Sequence, residues 1–188
     1  MKTLILGGVR SGKSRLAETL AKDLAKETNK SVVYFATAST DDDVCDDEMA
    51  MRIEIHKHHR PKDWMIVEEP IQLAEALKKY SNEKTCIIID CLTLWITNLI
   101  MLDDDKMLDL TRSAFIDFLQ NTKNELFIVS NETGLGIMPL GKLTRKFGDE
   151  AGITNQLVAA QCDRVVLTVA GLPLVLKGPP LNEKKHDH

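Results

Sequence analysis

Gly7, Gly8, Val9, Arg10, Ser11, Gly12, Lys13 and Ser14 stand directly after the apolar run TLIL at 3–6 and directly before the helical pattern KSRLAETLAKDLAKE. These eight residues fit G-x-x-x-x-G-K-[ST] in the strand-to-helix setting that gives the motif its meaning. The glycines let the backbone turn tightly enough for successive N–H groups to point at phosphate oxygens. The amino end of the helix that follows adds partial positive charge. All eight are candidate nucleotide contacts, with Lys13 reaching the β- and γ-phosphates and the Ser14 hydroxyl available to Mg²⁺. A chain built around such a loop must place a buried strand before it and a helix after it.

The rest of the sequence extends that pattern. Continuous apolar runs, rich in β-branched residues, recur at 3–6, 31–36, 64–67, 86–90, 126–130, 164–170 and 172–176. They are read as buried strands because they do not alternate with polar residues. Helical spacing fills 13–27, 46–59, 71–80, 92–101, 107–122 and 149–161. Strand alternating with helix argues an α/β fold with a mainly parallel sheet covered on both faces, here a RecA-like P-loop fold of three layers. The last two runs are separated only by Gly171 and its neighbours, so they are expected to form an antiparallel hairpin at one edge. Asp90 ends the run CIIID, where ligands gather in open parallel sheets, and is the candidate second anchor for Mg²⁺; a cap for the helix beginning at Leu92 is the competing role.

The chain has 188 residues, 44% of them hydrophobic, enough to bury a core without disulfides or metal staples. Residues 1–178 are expected to form one nucleotide-binding transferase domain, and 179–188 a disordered charged tail. A net charge of −4 argues against nucleic acid as a partner. The apolar run before the glycines is too short for a signal peptide or a membrane span, so a soluble, cytoplasmic protein without membrane insertion is expected. Cys45, Cys86, Cys91 and Cys162 form no CxxC pair and read as structural thiols.

The stretch DDEMAMRIEIHKHHRP holds three of the five histidines. Glu48, Arg52 and His56 are four apart and share one helix face. A cation one turn away favours neutral imidazole, the form able to attack phosphorus and make a phosphoramidate. Spacing alone fits a solvated helix end better, where the dipole favours charged histidine. Zinc is disfavoured, since the tract lacks the usual ligand spacing.

Six segments in order, GGVRSGKS, FAT at 35–37, DDEMAMRIEIHKHHRP, IIIDCLTLWITNLI, VSNETGLGIMP and RKFGDEAGITNQ, resemble the bifunctional adenosylcobinamide kinase and adenosylcobinamide-phosphate guanylyltransferase family of cobalamin biosynthesis, over almost the whole chain. The resemblance implies an enzyme that phosphorylates adenosylcobinamide with ATP or GTP and then joins GMP from GTP to that phosphate, giving adenosylcobinamide-GDP. It implies a covalent guanylyl intermediate on His56. It further implies GTP contacts at residues 7–14, at Phe35, Ala36 and Thr37, at Lys57, His58, His59 and Arg60, and at Glu68 and Asp90, with a homotrimer as the assembly. Ile55 stands where some relatives carry a second histidine. Two other readings stand beside this one: a P-loop small-molecule kinase without guanylyl transfer, and a nucleotide-gated switch protein.

Overall fold

The computed structural model of the chain describes residues 1–38, 61, 63–136 and 139–181. Seven strands share one sheet: β1 (Lys2–Gly7), β2 (Ser31–Ala36), β3 (Met65–Glu68), β4 (Thr85–Asp90), β5 (Glu125–Asn131), β6 (Arg164–Val169) and β7 (Leu172–Lys177). Their spatial order is β3-β2-β4-β5-β1-β6-β7, with every pair parallel except the last. Five described helices connect them: α1 (Lys13–Thr28), α2 (Leu73–Tyr80), α3 (Leu92–Met101), α4 (Asp105–Asn121) and α5 (Lys142–Gln161).

Successive side chains of a strand face opposite ways, so a strand buried on both faces must be apolar at every position. Leu4, Leu6, Val33, Phe35, Ile87, Ile89, Leu126 and Ile128 pack against α2 to α5 on one face. Their neighbours Ile5, Val32, Tyr34, Cys86, Ile88, Phe127 and Val129 pack against Ala17 and Ala21 of α1 on the other. The result is the expected three-layer α/β fold. Small alanines on the buried side of α1 bring its axis close to the sheet, and with it the loop that precedes it.

Cys86, Cys91 and Cys162 are buried thiols, as their apolar surroundings suggested. Burial pushes Cys86 and Cys162 up to about 12 and Cys91 to about 11, which leaves all three as unreactive hydrophobes at neutral pH.

Two expectations need correction. The runs assigned to β3 and β7 are edge strands, not buried ones: Met65 and Ile66 are exposed, as are Leu172, Leu174 and Leu176. A continuous apolar run does not say how many neighbours a strand has. α5 begins at Lys142 rather than 149. Its first turns contain Gly148, a poor helix former, and are held by contacts made elsewhere in the chain: Lys146 pairs with Asp105, Arg112 with Glu150, and Phe147 packs on the core. The helix expected over 46–59, with Cys45 just before it, lies outside the described residues, as do most of the expected tail residues, 182–188. The hairpin forms as read, with Ala170 and Gly171 both at positive φ (53° and 81°), the two-residue turn that matches the twist of antiparallel strands. No described helix is long and apolar enough to cross a membrane.

Candidate active site

All parallel strands end at one edge of the sheet, and pairing register sets which residues meet there. Glu68 pairs with Ala36, Ala36 with Asp90, Asp90 with Val129, and Gly7 with both Asn131 and Thr168. The phosphate loop after β1 and the carboxylate of β4 are therefore separated by the single strand β5, about 10 Å at the usual strand spacing.

Gly12 is the N-cap of α1, in the left-handed conformation with φ 95°; no side chain caps the helix, and no acidic residue sits in its first turn. The first amide groups thus have no side-chain acceptor, and their positive end faces the loop. Lys13 is buried, yet its Nζ donates to Gly8 O at 2.5 Å, which turns the ammonium into the loop. Desolvation lowers its pKa, and the nearby Cys91 and Asp90 act in the opposite sense. Val9 is 70% exposed and Arg10 holds φ 55°, so the crest of the loop stands free in solvent.

The loop is braced from behind by β6 and the hairpin turn. Thr168 Oγ1 donates to Leu6 O at 3.0 Å, so the 2.8 Å bond between Ser11 Oγ and Thr168 Oγ1 must have Ser11 as donor. Gly171 N–H donates to Ser11 O at 3.1 Å. Ser11 is consequently held by side chain and backbone together, its hydroxyl proton already spent. Thr168→Val keeps the shape and removes the relay. It is expected to cost about 1–3 kcal/mol of stability and to raise the nucleotide KM in both chemistries, with Thr168→Ser restoring it; urea unfolding and steady-state kinetics check this.

Asp90 does not cap α3. That position belongs to Cys91, which makes no side-chain cap. Asp90 Oδ2 instead accepts from Tyr34 Oη at 2.5 Å, leaving Oδ1 without a partner among the described residues. A hydroxyl at Ser14 and one free carboxylate oxygen suit Mg²⁺, which takes few protein ligands and relies on substrate phosphates for others. Among the described residues no group of three or more His, Cys, Asp or Glu is placed to hold a metal.

Of the β2 residues, Phe35 is fully buried in the core, edge-on to Tyr80, so only its backbone faces the edge. Thr37 is equally buried; its Oγ1 donates to Cys91 O at 2.6 Å and accepts from Cys91 N–H at 2.8 Å. Asn98 of α3 gives its amide protons to Thr37 O (2.8 Å) and Pro70 O (3.1 Å), tying the β2 and β3 ends together. His56, Lys57, His58, His59 and Arg60 lie outside the described residues.

Residues 3–176 match the family described as cobinamide kinase / cobinamide phosphate guanyltransferase. The chain belongs to this family. It is 49% identical, over 96% of its length and all of the relative's, to the bifunctional adenosylcobalamin biosynthesis protein CobP of Pseudomonas aeruginosa. It is 35% identical to CobU of Escherichia coli and 34% to CobU of Salmonella typhimurium, each over 94% of this chain and all of theirs. Among solved structures, the flagellar accessory protein FlaH of Methanocaldococcus jannaschii has the same fold, with a TM-score of 0.53 at 17% identity over 94% of this chain and 77% of that one.

Nucleotide substrates fit a kinase and guanyltransferase family, and the cradle, Asp90 and the β2 and β3 ends all lie at one edge of the sheet. Neither Tyr34 and Thr168 as site residues nor Gly171 as a brace of the phosphate loop was legible in the sequence. Their contacts to Asp90 and Ser11 span 56 to 160 residues of chain, and no local pattern reports such distant pairing.

Proposed function

We propose that the chain phosphorylates adenosylcobinamide with ATP or GTP, and then carries GMP from GTP to the resulting phosphate through a covalent bond to His56. The single observation that supports the reading best is the uncapped amino end of α1 with Lys13 turned into its loop, in a member of a family that combines both chemistries.

In the kinase step the cradle Gly7–Ser14 holds the triphosphate, and catalysis is mostly positioning and neutralisation of charge. Ser14 and Asp90 would hold Mg²⁺, which would supply positive charge to offset that of the triphosphate. In the transfer step His56 attacks the α-phosphorus, the bond to pyrophosphate breaks, and Lys13 offsets the charge of the departing group. Lys57 and Arg60 stabilise the charge gathered at the α-phosphorus. An oxygen of adenosylcobinamide phosphate then displaces His56, giving adenosylcobinamide-GDP. Glu68 accepts from the guanine N1–H and N2 groups, which adenine lacks in that arrangement. Phe35, Ala36, Thr37, His58 and His59 are further GTP contacts in this reading.

The proposal extends to a cytoplasmic homotrimer. Val169, Leu172, Leu174 and Leu176 are more than half exposed on the β6–β7 hairpin, an apolar surface of the kind that copies of a chain cover. Light scattering reads the mass.

Incubation with α-labelled GTP and Mg²⁺ tests the central step. The expected result is an acid-labile, base-stable label on the wild type and none on His56→Ala, which retains phosphorylation of adenosylcobinamide. Label on both, or on neither, defeats the guanylyl-histidine reading and leaves a P-loop kinase.

A further inference from the structure

The two reactions proposed above differ in one chemical respect. A histidine nitrogen or a phosphate oxygen can attack phosphorus as it stands, whereas the hydroxyl of adenosylcobinamide must lose a proton. The kinase step alone therefore gains from a base beside the γ-phosphate. We propose that this base is Glu132.

Glu132 follows the last residue of β5, the strand between the phosphate loop and Asp90. Its N–H donates to Gly7 O at 3.0 Å, so its backbone abuts the first residue of the cradle. The tip that carries it is held from three other directions. Asn131 N–H donates to Thr93 Oγ1 at 2.8 Å, Asn155 Nδ2 donates to Asn131 O at 3.3 Å, and Gly134 N–H donates to Glu132 Oε1 at 2.7 Å. These bonds come from α3, α5 and the loop itself. A side chain with no part in the reaction does not require so constrained a seat.

One oxygen of the Glu132 carboxylate is engaged by Gly134 N–H and the other is open among the described residues, as at Asp90. Asp90 is engaged by Tyr34, and Glu69 Oε1 accepts from the N–H groups of Ile71 and Gln72 ahead of α2. Glu132 makes no ion pair among the described residues, and its Oε2 has no partner there. The residue is half-buried while 133–136 are exposed, so the carboxylate is within reach of solvent-borne substrate. Leu135, 83% exposed and three residues on in the same loop, offers apolar surface of the kind a bulky corrinoid would cover.

The step balances without further reagents. The acceptor oxygen forms a bond to the γ-phosphorus, the bond to the β–γ bridging oxygen breaks, the nucleoside diphosphate leaves, and the hydroxyl proton passes to Glu132 and from there to water.

This assignment rests on the proposed function, and the test separates the two. Kinase turnover on adenosylcobinamide and formation of the guanylyl-enzyme from GTP are measured on the same preparations of wild type and Glu132→Gln, which keeps the acceptor for Gly134 N–H but cannot take a proton. The expected result is a kinase-to-guanylylation ratio lowered about 10²–10³-fold. A ratio equal to that of the wild type, whether both activities fall or neither does, overturns the assignment. Should Glu132→Gln not fold, Glu132→Asp is measured in its place: a ratio below that of the wild type is expected, and a ratio equal to it overturns the assignment. A wild type without kinase activity would instead count against the proposed function.

Discussion

Gly7→Ala is expected to abolish nucleotide binding. A Cβ at this position would lie within 2.5 Å of Ser11 Oγ and of the Thr168 carbonyl, and nearer still to Thr168 Oγ1, from a backbone φ of 154°. One of those obstacles is backbone in a paired strand, so no rotamer change relieves the clash. Either β6 moves away from β1 or the loop moves off β6, and both break the Ser11–Thr168 brace. Overpacking of this kind costs about 1–3 kcal/mol of stability, and a shift of the cradle by about 1 Å is enough to lower turnover about 100-fold. Urea unfolding and nucleotide titration measure the two effects together. Binding at wild-type strength would show that the loop does not hold phosphate in the conformation described.

Lys13→Met is expected to lower kinase turnover by about 10²–10³-fold, the loss that follows removal of one preorganised charged donor, without weakening the fold. Burial depresses the lysine pKa, so the folded protein holds this proton less tightly than the unfolded chain does. Linkage then gives the sign: wild-type stability carries a penalty at neutral pH that is relieved as pH rises from the folded pKa toward the ordinary lysine value of 10.5. Methionine has similar length and no charge, so the variant lacks both the penalty and its relief. Gly8, the acceptor of the Lys13 bond, is exposed and regains a partner from water. Unfolding at pH 7 should therefore find the variant at least as stable as wild type, with the difference shrinking toward pH 10. A variant that loses activity only because it unfolds would contradict this account.

Much of the architecture was legible because it is local. The strand, glycine loop and helix at residues 2–28 follow one another in sequence, and each signal reinforces the next. The hairpin at Ala170 and Gly171 was legible for the same reason. The early start of α5 was not: Gly148 argues against helix, and what overrides it is the pairing of Lys146 and Glu150 with α4. The edge positions of β3 and β7 were hidden because apolar content alone does not count neighbours. In the site, Lys13, Ser14 and Asp90 announced themselves by spacing, whereas Glu132 sits in the motif VSNETG as one polar residue among several.

By itself the sequence determined the chemistry available to this protein. A phosphate cradle, a strand-end carboxylate and a histidine tract are properties of residue type and short spacing, and the family membership follows from them. Only the tertiary structure decided how those groups are held. Thr168 and Gly171 reach Ser11 from more than 150 residues away, Asn98 joins the ends of two strands, and β5 inserts Glu132 beside Gly7. Strand order sets these contacts, and strand order comes from how the whole chain buries its apolar faces, which no local stretch of residues records.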